Sequence, residues 1–266
     1  MDNITLGKYL PLNSFIHRLD PRLKLVSLFI LLITIFFNIG FIGYGIMASF
    51  VIIVCLLSKI SIQYIIKSLK PMIFMIFFLT FFNIFFIRTG EVAFTIFDFD
   101  IYQDALIQSA KIFVRIILII ALTTILTASS KPLDLTLAIE SLLSPLKRFG
   151  FPSHELAMMI SISLRFIPDL LEETKRIMKA QASRGVDFNE GKLKEKISAI
   201  VSLIIPLFLS SFQRAEDLAN AMESRNYNPT AKRTRYQALK WQKRDTLAMF
   251  VVIIYCIFIL FGGLYV

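Results

Sequence analysis

Cysteine and histidine are scarce in this sequence, with two of each among 266 residues. Cys55 and Cys256 both lie inside apolar runs, where a thiol behaves as a small hydrophobic group. His17 and His154 are isolated and stand near predicted helix starts, which is not the spacing of zinc ligands. The sequence therefore predicts no disulfide framework, no metal site and no cofactor.

Charged residues are also few, at 18% of the chain, whereas hydrophobic residues make up 56% and include 26 phenylalanines. A mean hydropathy of +0.69 is too high for a soluble domain of this length. The sequence therefore predicts an integral membrane protein with the lipid bilayer as a partner. We expect the net charge of +10 to orient the chain and to attract anionic headgroups.

Five apolar runs approach the roughly 20 residues that a helix needs to cross a bilayer. The first two are short and meet at a glycine-containing bend, Gly40 and Gly43. We therefore expect an all-α membrane protein with about five transmembrane helices. The runs cover residues 23–38, 41–57, 71–87, 105–128 and 246–266.

The charges between these runs predict the orientation. Basic residues precede the first run and follow the second, so the positive-inside rule places both segments in the cytoplasm. The acidic loop at 88–104 contains the alternating stretch VAFTIFDFDIY and is expected outside, as a short extended hairpin over the membrane surface. We therefore expect a multi-pass protein of the cell membrane with a cytoplasmic N-terminus.

The stretch HRLDPRLKL predicts how the first helix begins. Asp20 can cap it, and Pro21 suits the first helical turn because its missing N–H costs nothing there. We expect Arg22 and Lys24 to lie at the depth of the lipid phosphates.

Between the fourth and fifth runs the composition changes to amphipathic helices with frequent charges. Three helices are expected there, at 133–148, 153–184 and 194–225, with Ser153 as the N-cap of the second. The predicted organisation is a transmembrane part at 1–130, a cytoplasmic coupling domain at 131–244 and a final transmembrane helix at 245–266. An alternative is a crossing at 197–212, which the short run, Pro206 and basic residues on both sides disfavour.

The two longer helices end in similar tripeptides, Ser183-Arg184-Gly185 and Ser224-Arg225-Asn226. One such end is explained by a cation at the negative end of the helix dipole and a residue that tolerates the left-handed conformation. The repetition instead favours two similar partner sites, because a small residue allows close approach and a guanidinium can bind a carboxylate with two hydrogen bonds. We expect both arginines to emerge side by side at the cytoplasmic face.

The chain resembles the transmembrane component of energy-coupling factor transporters, EcfT, which is similar to membrane subunits of cobalt and nickel uptake systems. The resemblance is carried by SFIHRLDPRLKL, by KPLDLTLAIESLLSPLKRFGFPSHELAMMISISLRFIPDLLEE and by the two arginine tripeptides. In that family the tripeptide is Ala-Arg-Gly, twice. This chain has Ser in place of Ala both times and Asn226 in place of the second Gly.

The resemblance implies a scaffold without catalytic activity of its own. Two ABC-type ATPase subunits would bind the arginine-bearing helix ends, and a separate S component would bind a vitamin or a metal ion. ATP-driven movement of the two helices would then reorient the S component. The implied ATPase-binding residues are Ser183, Arg184, Gly185, Ser224, Arg225 and Asn226.

Other readings are weaker interpretations. The membrane permease subunit of a cobalt or nickel uptake system is an alternative within the same resemblance. A permease that binds its own solute would need converging polar residues inside the bundle, and apart from Arg115 and a few Ser, Thr and Asn these are scarce. A membrane enzyme would need a catalytic pair, which the sequence does not show. A nucleic-acid binder could use the basic cluster before the last run, but such clusters normally mark the cytoplasmic face. That cluster comprises Lys232, Arg233, Arg235, Lys240, Lys243 and Arg244.

Overall fold

A computed structural model describes residues 9–37, 40–96, 99–188, 192–228 and 239–263. The chain divides into two compact units. The first comprises Met1–Leu142 and Leu239–Val266, and the second comprises Leu143–Ala238. Within the described residues the first unit contains α1 (Pro21–Phe36), α2 (Gly40–Ser58), α3 (Ile62–Leu69), α4 (Ile73–Phe86), β1 (Val92–Ile96), β2 (Phe99–Tyr102), α5 (Gln103–Ser129), α6 (Pro132–Leu143) and α9 (Lys243–Gly263), and the second contains α7 (Ser153–Ser183) and α8 (Leu193–Ser224).

Five described helical segments are long and apolar enough to cross a membrane, which agrees with an all-α membrane protein. They are α2, the segment formed by α3 and α4, α5, α8 and α9. Helix α1 has 16 residues, or about 24 Å, and is shorter than the roughly 30 Å hydrocarbon core. By length and composition, the candidate spans therefore include α8, which the sequence interpretation had kept out of the membrane. They do not include α1, which covers most of the crossing expected at 23–38.

The core of the first unit lies among α1, α2, α5 and α9. Ile35, Met47 and Ile259 are almost fully buried there. Helices α2 and α9 are joined by stacking of the Phe50 and Tyr255 rings at 4.4 Å. The Tyr255 hydroxyl also donates to the Ile46 carbonyl at 2.6 Å. These contacts fix the last helix of the chain against the second.

The loop before α5 forms the expected extended hairpin. Strands β1 and β2 are antiparallel, with Ile96 opposite Phe99 and Val92 opposite Tyr102. Residues 97 and 98 at its turn lie outside the described residues, as does Asp98 of the acidic loop. Further along α5, Arg115 donates to the Tyr44 hydroxyl at 3.1 and 2.7 Å, which stabilises a charge within a predicted span.

The start of α1 confirms one expectation and corrects another. Asp20 caps the helix by accepting from the Arg22 N–H at 2.8 Å, and Pro21 is its first residue. Lys24, however, is only 9% exposed. Its Nζ donates to the Ser129 carbonyl at 2.8 Å, to Ser130 Oγ at 3.3 Å and to the His17 carbonyl at 3.4 Å. Because these acceptors satisfy all three ammonium donors, Lys24 binds the end of α5 and not the lipid phosphates.

The second unit begins with a 3₁₀ helix, Ser144–Phe149, because Pro145 interrupts the helix predicted at 133–148. Gly150, with φ of +81°, ends it. The N-cap of α7 is Pro152, and Ser153 is the first helical residue with a buried side chain. The predicted cap at Ser153 is therefore wrong by one residue.

Candidate partner-binding helix ends

Helix α7 ends in a Schellman motif centred on Arg184. The N–H of Val186 donates to the Gln181 carbonyl at 3.1 Å, and the N–H of Gly185 donates to the Ala182 carbonyl at 3.0 Å. Gly185 has φ of +87°, a left-handed conformation that glycine adopts without a steric penalty. The motif reverses the chain directly after Arg184 and leaves its side chain exposed.

Helix α8 ends in the same motif, 41 residues later. The N–H of Tyr227 donates to the Met222 carbonyl at 3.0 Å, and the N–H of Asn226 donates to the Glu223 carbonyl at 2.8 Å. Asn226 takes the left-handed position with φ of +56°. Arg225 has φ of −91° and ψ of 13°, close to the −90° and 7° of Arg184. The repeated tripeptides therefore have nearly identical backbones.

All six residues of the two tripeptides are exposed. The two serine hydroxyls donate back into their own helices, Ser183 to the Lys179 carbonyl and Ser224 to the Ala221 carbonyl, both at 3.1 Å. A Cβ atom added at Gly185 would meet no atom within 4 Å. Each end therefore presents a small, internally satisfied surface beside one guanidinium, as a close contact requires.

The two arginine ends lie at opposite ends of the α7 and α8 pair. Gln181 on α7 donates to the Ser202 carbonyl on α8, and at the other end the Tyr227 hydroxyl lies 3.0 Å from the Met158 sulfur. The helices are therefore antiparallel. From Met158 to Gln181 the axis of α7 rises by about 35 Å at 1.5 Å per residue. The expectation that the arginines emerge side by side is wrong, because antiparallel helices place their C-termini apart.

An ion pair joins the two helices between these ends. Arg214 Nη2 lies 2.6 Å from Glu173 Oε2, and the Arg214 guanidinium stacks 5.9 Å from the Phe166 ring centroid. The Ser210 hydroxyl and then the Arg214 guanidinium lower the pKa of the Glu173 carboxyl below its ordinary value. The pair fixes the register of α7 against α8 and hence the spacing of the arginines. Sequence inspection missed it, because no local pattern links residues 41 apart.

A cavity of about 480 Å³ adjoins the Arg184 end within the second unit. Gly185 and Val186 line one side, and Glu195, Ser198 and Ser202 of α8 line the other. Residues 189–191 next to it lie outside the described residues. In the part of the chain that the structure describes, no group of three His, Cys, Asp or Glu side chains could hold a metal ion.

Comparison with known proteins identifies the family. The family model described as CbiQ, Cobalt transport protein, matches residues 12–236. This chain belongs to the CbiQ/EcfT family. It is 46% identical over 259 residues to the energy-coupling factor transporter transmembrane protein EcfT of Streptococcus equi, covering 97% of this chain and 96% of that protein. The EcfT protein of Bacillus subtilis is 43% identical over 254 residues, covering 96% of each chain.

Membership of the CbiQ/EcfT family agrees with the apolar helices of the structure. A third relative, the EcfT protein of Staphylococcus aureus, is 41% identical and covers 95% of this chain. Relatives matched over nearly their whole length make this chain a membrane protein of the transporter class, the transmembrane component of energy-coupling factor transporters.

Proposed function

We propose that this chain is the non-catalytic scaffold of an ATP-driven importer of the cell membrane, with a cytoplasmic N-terminus. Two ABC-type ATPase subunits bind it, one at Ser183-Arg184-Gly185 and one at Ser224-Arg225-Asn226. A separate S component captures a vitamin or another micronutrient. The residues at 131–244 form the cytoplasmic coupling domain, between transmembrane parts at 1–130 and 245–266.

The two matching helix ends carry this proposal. They repeat one backbone motif, one exposed arginine and one satisfied serine at both sites. Ends about 35 Å apart along a helix are too distant for one groove. They suit two neighbouring domains, since a domain of about 250 residues has a radius of gyration near 18 Å. Two similar sites on one scaffold therefore favour two similar subunits.

The antiparallel pair also supports a coupling role. The Glu173–Arg214 ion pair and the Gln181–Ser202 hydrogen bond tie α7 to α8 along their length. Movement of one arginine end is therefore transmitted to the other helix rather than absorbed by a flexible loop. When the ATPase pair closes, the two ends follow it, and the helices reorient the S component.

A second candidate is the membrane subunit of a cobalt or nickel uptake system, and the description of the matching family model, Cobalt transport protein, favours cobalt. A permease that binds its own solute is the third, and Arg115 would be its natural polar centre. In the structure Arg115 contacts Tyr44 of its own bundle. The three are separated by uptake assays in which vitamins, Co²⁺ and Ni²⁺ are offered with and without coexpressed S components.

The decisive experiment is reversal of both charges, Arg184→Glu with Arg225→Glu, followed by affinity purification from membranes. We expect the ATPase subunits to be lost, because each reversal places a carboxylate where the proposal requires a cation. Correct membrane insertion is checked by the yield and size-exclusion profile of the purified chain. Undiminished copurification of the ATPases would refute the assignment.

A matched control makes the same change of charge at positions away from the two helix ends. Arg176→Glu with Lys194→Glu changes the net charge equally at two exposed sites on the same helices. We expect this variant to retain the ATPases. If it loses them equally, net charge rather than the two helix ends governs binding.

A further inference from the structure

Two basic residues of α5, Lys111 and Arg115, lie one helical turn apart in the first unit. At this spacing their Cβ atoms are about 5–6 Å apart on one face of the helix. Each cation lies over an aromatic ring of α1 or α2. Lys111 Nζ is 5.6 Å from the Phe41 ring centroid, and Arg115 Cζ is 5.8 Å from the Phe36 ring centroid. Two positive charges therefore stand beside the junction of α1 and α2, between Phe36 and Gly40.

Tyr44 fixes the direction of the Arg115 guanidinium. The Tyr44 hydroxyl donates to the Ile35 carbonyl at 3.5 Å and accepts from Arg115 Nε and Nη2 at 3.1 and 2.7 Å. A guanidinium has five N–H donors, so three remain on Arg115, and all three ammonium donors remain on Lys111. No described residue accepts from them, and no described carboxylate lies within 4 Å of either cation. The two cations thus lack an anion among the described residues.

The end of α1 indicates the depth of these cations in the membrane. Helix α1 ends at Phe36, Phe37 is extended with φ of −71° and ψ of 156°, and α2 begins at Gly40. Phe37 is 54% exposed, so the protein does not enclose this non-helical backbone. Such backbone cannot satisfy its N–H and C=O groups in hydrocarbon, so the junction lies at the membrane surface. Because Lys111 and Arg115 contact rings on either side of the junction, both lie at the depth of the lipid headgroups.

The length of α5 indicates the same depth. Its 27 residues span about 40 Å, which exceeds the roughly 30 Å hydrocarbon core by about 10 Å. From Lys111 to Ser129 the axis rises by about 27 Å, close to the thickness of the core. Asp104, in the first turn of α5, lies about 10 Å beyond Lys111 along the axis. Lys111 therefore stands where α5 leaves the hydrocarbon, a full helical turn or more from the acidic start of the helix.

We propose that Lys111 and Arg115 bind the phosphate of an anionic phospholipid. Both cations are half-buried, and Phe36 and Phe41 beside them are 66% and 51% exposed, so a lipid reaches the cations from outside the bundle. Phosphate oxygens accept from a guanidinium and an ammonium together. A zwitterionic lipid offers the same phosphate but has a cation of its own, so it gains less. In the proposed orientation with a cytoplasmic N-terminus, this site faces the outer leaflet.

The test uses the full chain in nanodiscs of equal phosphatidylglycerol and phosphatidylcholine, followed by native mass spectrometry of the lipids that stay bound. We expect phosphatidylglycerol to be retained over phosphatidylcholine. Lys111→Gln should lower the retention ratio about fivefold, the contribution of one basic residue near the headgroups. Lys111→Arg keeps the charge and should keep the ratio. Equal retention of the two lipids by the unaltered chain, or a ratio that Lys111→Gln leaves unchanged, would overturn the proposal.

Lys67→Gln is the matched control. It removes the same charge from an exposed lysine of α3, which follows the end of α2 opposite to Gly40. We expect this variant to change the ratio far less than Lys111→Gln does. An equal loss would show that total charge sets the ratio and would overturn the proposal. Size-exclusion profiles of all variants check that each is folded, and no ATPase subunit is needed, so the result is independent of the proposed function.

An acidic side chain on a membrane helix of a partner protein is the competing anion. If it occupied the site, Lys111→Gln would leave lipid retention unchanged and would release a membrane protein that copurifies with the unaltered chain. That outcome would overturn the assignment to a phospholipid.

Discussion

The helix ends at Arg184 and Arg225 share their backbone hydrogen bonds and differ in the residue that takes the left-handed conformation. Gly185 does so at no steric cost, whereas Asn226 is one of the few other residues that adopt it readily. The hydroxyls of the serines before the arginines also donate to different carbonyls, four residues back in α7 and three residues back in α8. The comparison teaches that the position of the arginine is set by the motif and not by one particular sequence.

The largest expected effect comes from reversing each arginine singly. If the two ends are equivalent sites, Arg184→Glu and Arg225→Glu should each weaken ATPase binding by about thirtyfold, the loss typical of a broken interfacial charge pair near 2 kcal/mol. Because the sites are about 35 Å apart, the two losses should add in free energy in the double variant. Titration of purified ATPases onto immobilised scaffold measures the three dissociation constants.

The informative comparison is between the losses of affinity in the two single variants, which should be equal. Single losses that differ by more than about tenfold, or 1.4 kcal/mol, would show that the two ends are not interchangeable. The shared backbone motif would then describe helix termination only.

A smaller effect is expected from Gly185→Val. A β-branched residue at φ of +87° should destabilise the last turn of α7 by about 2 kcal/mol. Because open space surrounds the position, the cost is conformational and not steric contact. Amide hydrogen exchange of the peptides that cover the end of α7 measures it.

The matched control is Gly185→Asn, which gives α7 the residue that α8 has at this position. It should raise the exchange rate far less than valine does. Equal acceleration by both variants would show that the end of α7 tolerates only glycine and differs from the end of α8.

The smallest effect concerns the ion pair that spaces the two ends. The pKa of Glu173 is lowered in the folded chain, so the pair stabilises the helices above the unfolded value of about 4.3 and is lost as the pH falls through the lower folded value. Glu173→Gln should cost at most about 1 kcal/mol near pH 7, since both side chains are partly exposed. Hydrogen exchange of α7 and α8, followed from pH 7 down to pH 3, measures it. A Glu173→Gln variant whose stability keeps the same pH dependence would exclude Glu173 as its source.

Local patterns were sufficient to predict the start of α1 and the ends of α7 and α8. The cap at Asp20 and the ends of α7 and α8 at Ser183 and Ser224 depend on a few neighbouring residues, and the structure confirms them within one residue. The hairpin at β1 and β2 follows from its alternation for the same reason. The domain boundaries and the roles of the arginines stay predictions.

The relative direction of α7 and α8, and the contacts between residues far apart in the sequence, were harder to predict. The short connection between α7 and α8 is itself typical of antiparallel neighbours, and this signal could have placed the arginines apart. Lys24 was expected at the lipid phosphates because its acceptors at Ser129 and Ser130 lie more than a hundred residues away. In the basic cluster that was considered for nucleic-acid binding, residues 232, 233 and 235 lie outside the described residues.

The contact between Asp20 and Asp245 has a consequence for biogenesis. The Asp20 N–H donates to a carboxylate that is 1% exposed and that also receives the Gln242 N–H. The ribosome makes these partners 225 residues apart, so the short first helix enters the bilayer long before its companion exists. We expect α1 of the newly made chain to lack this contact until α9 has been synthesised, so that insertion of α9 completes the packing at the start of α1.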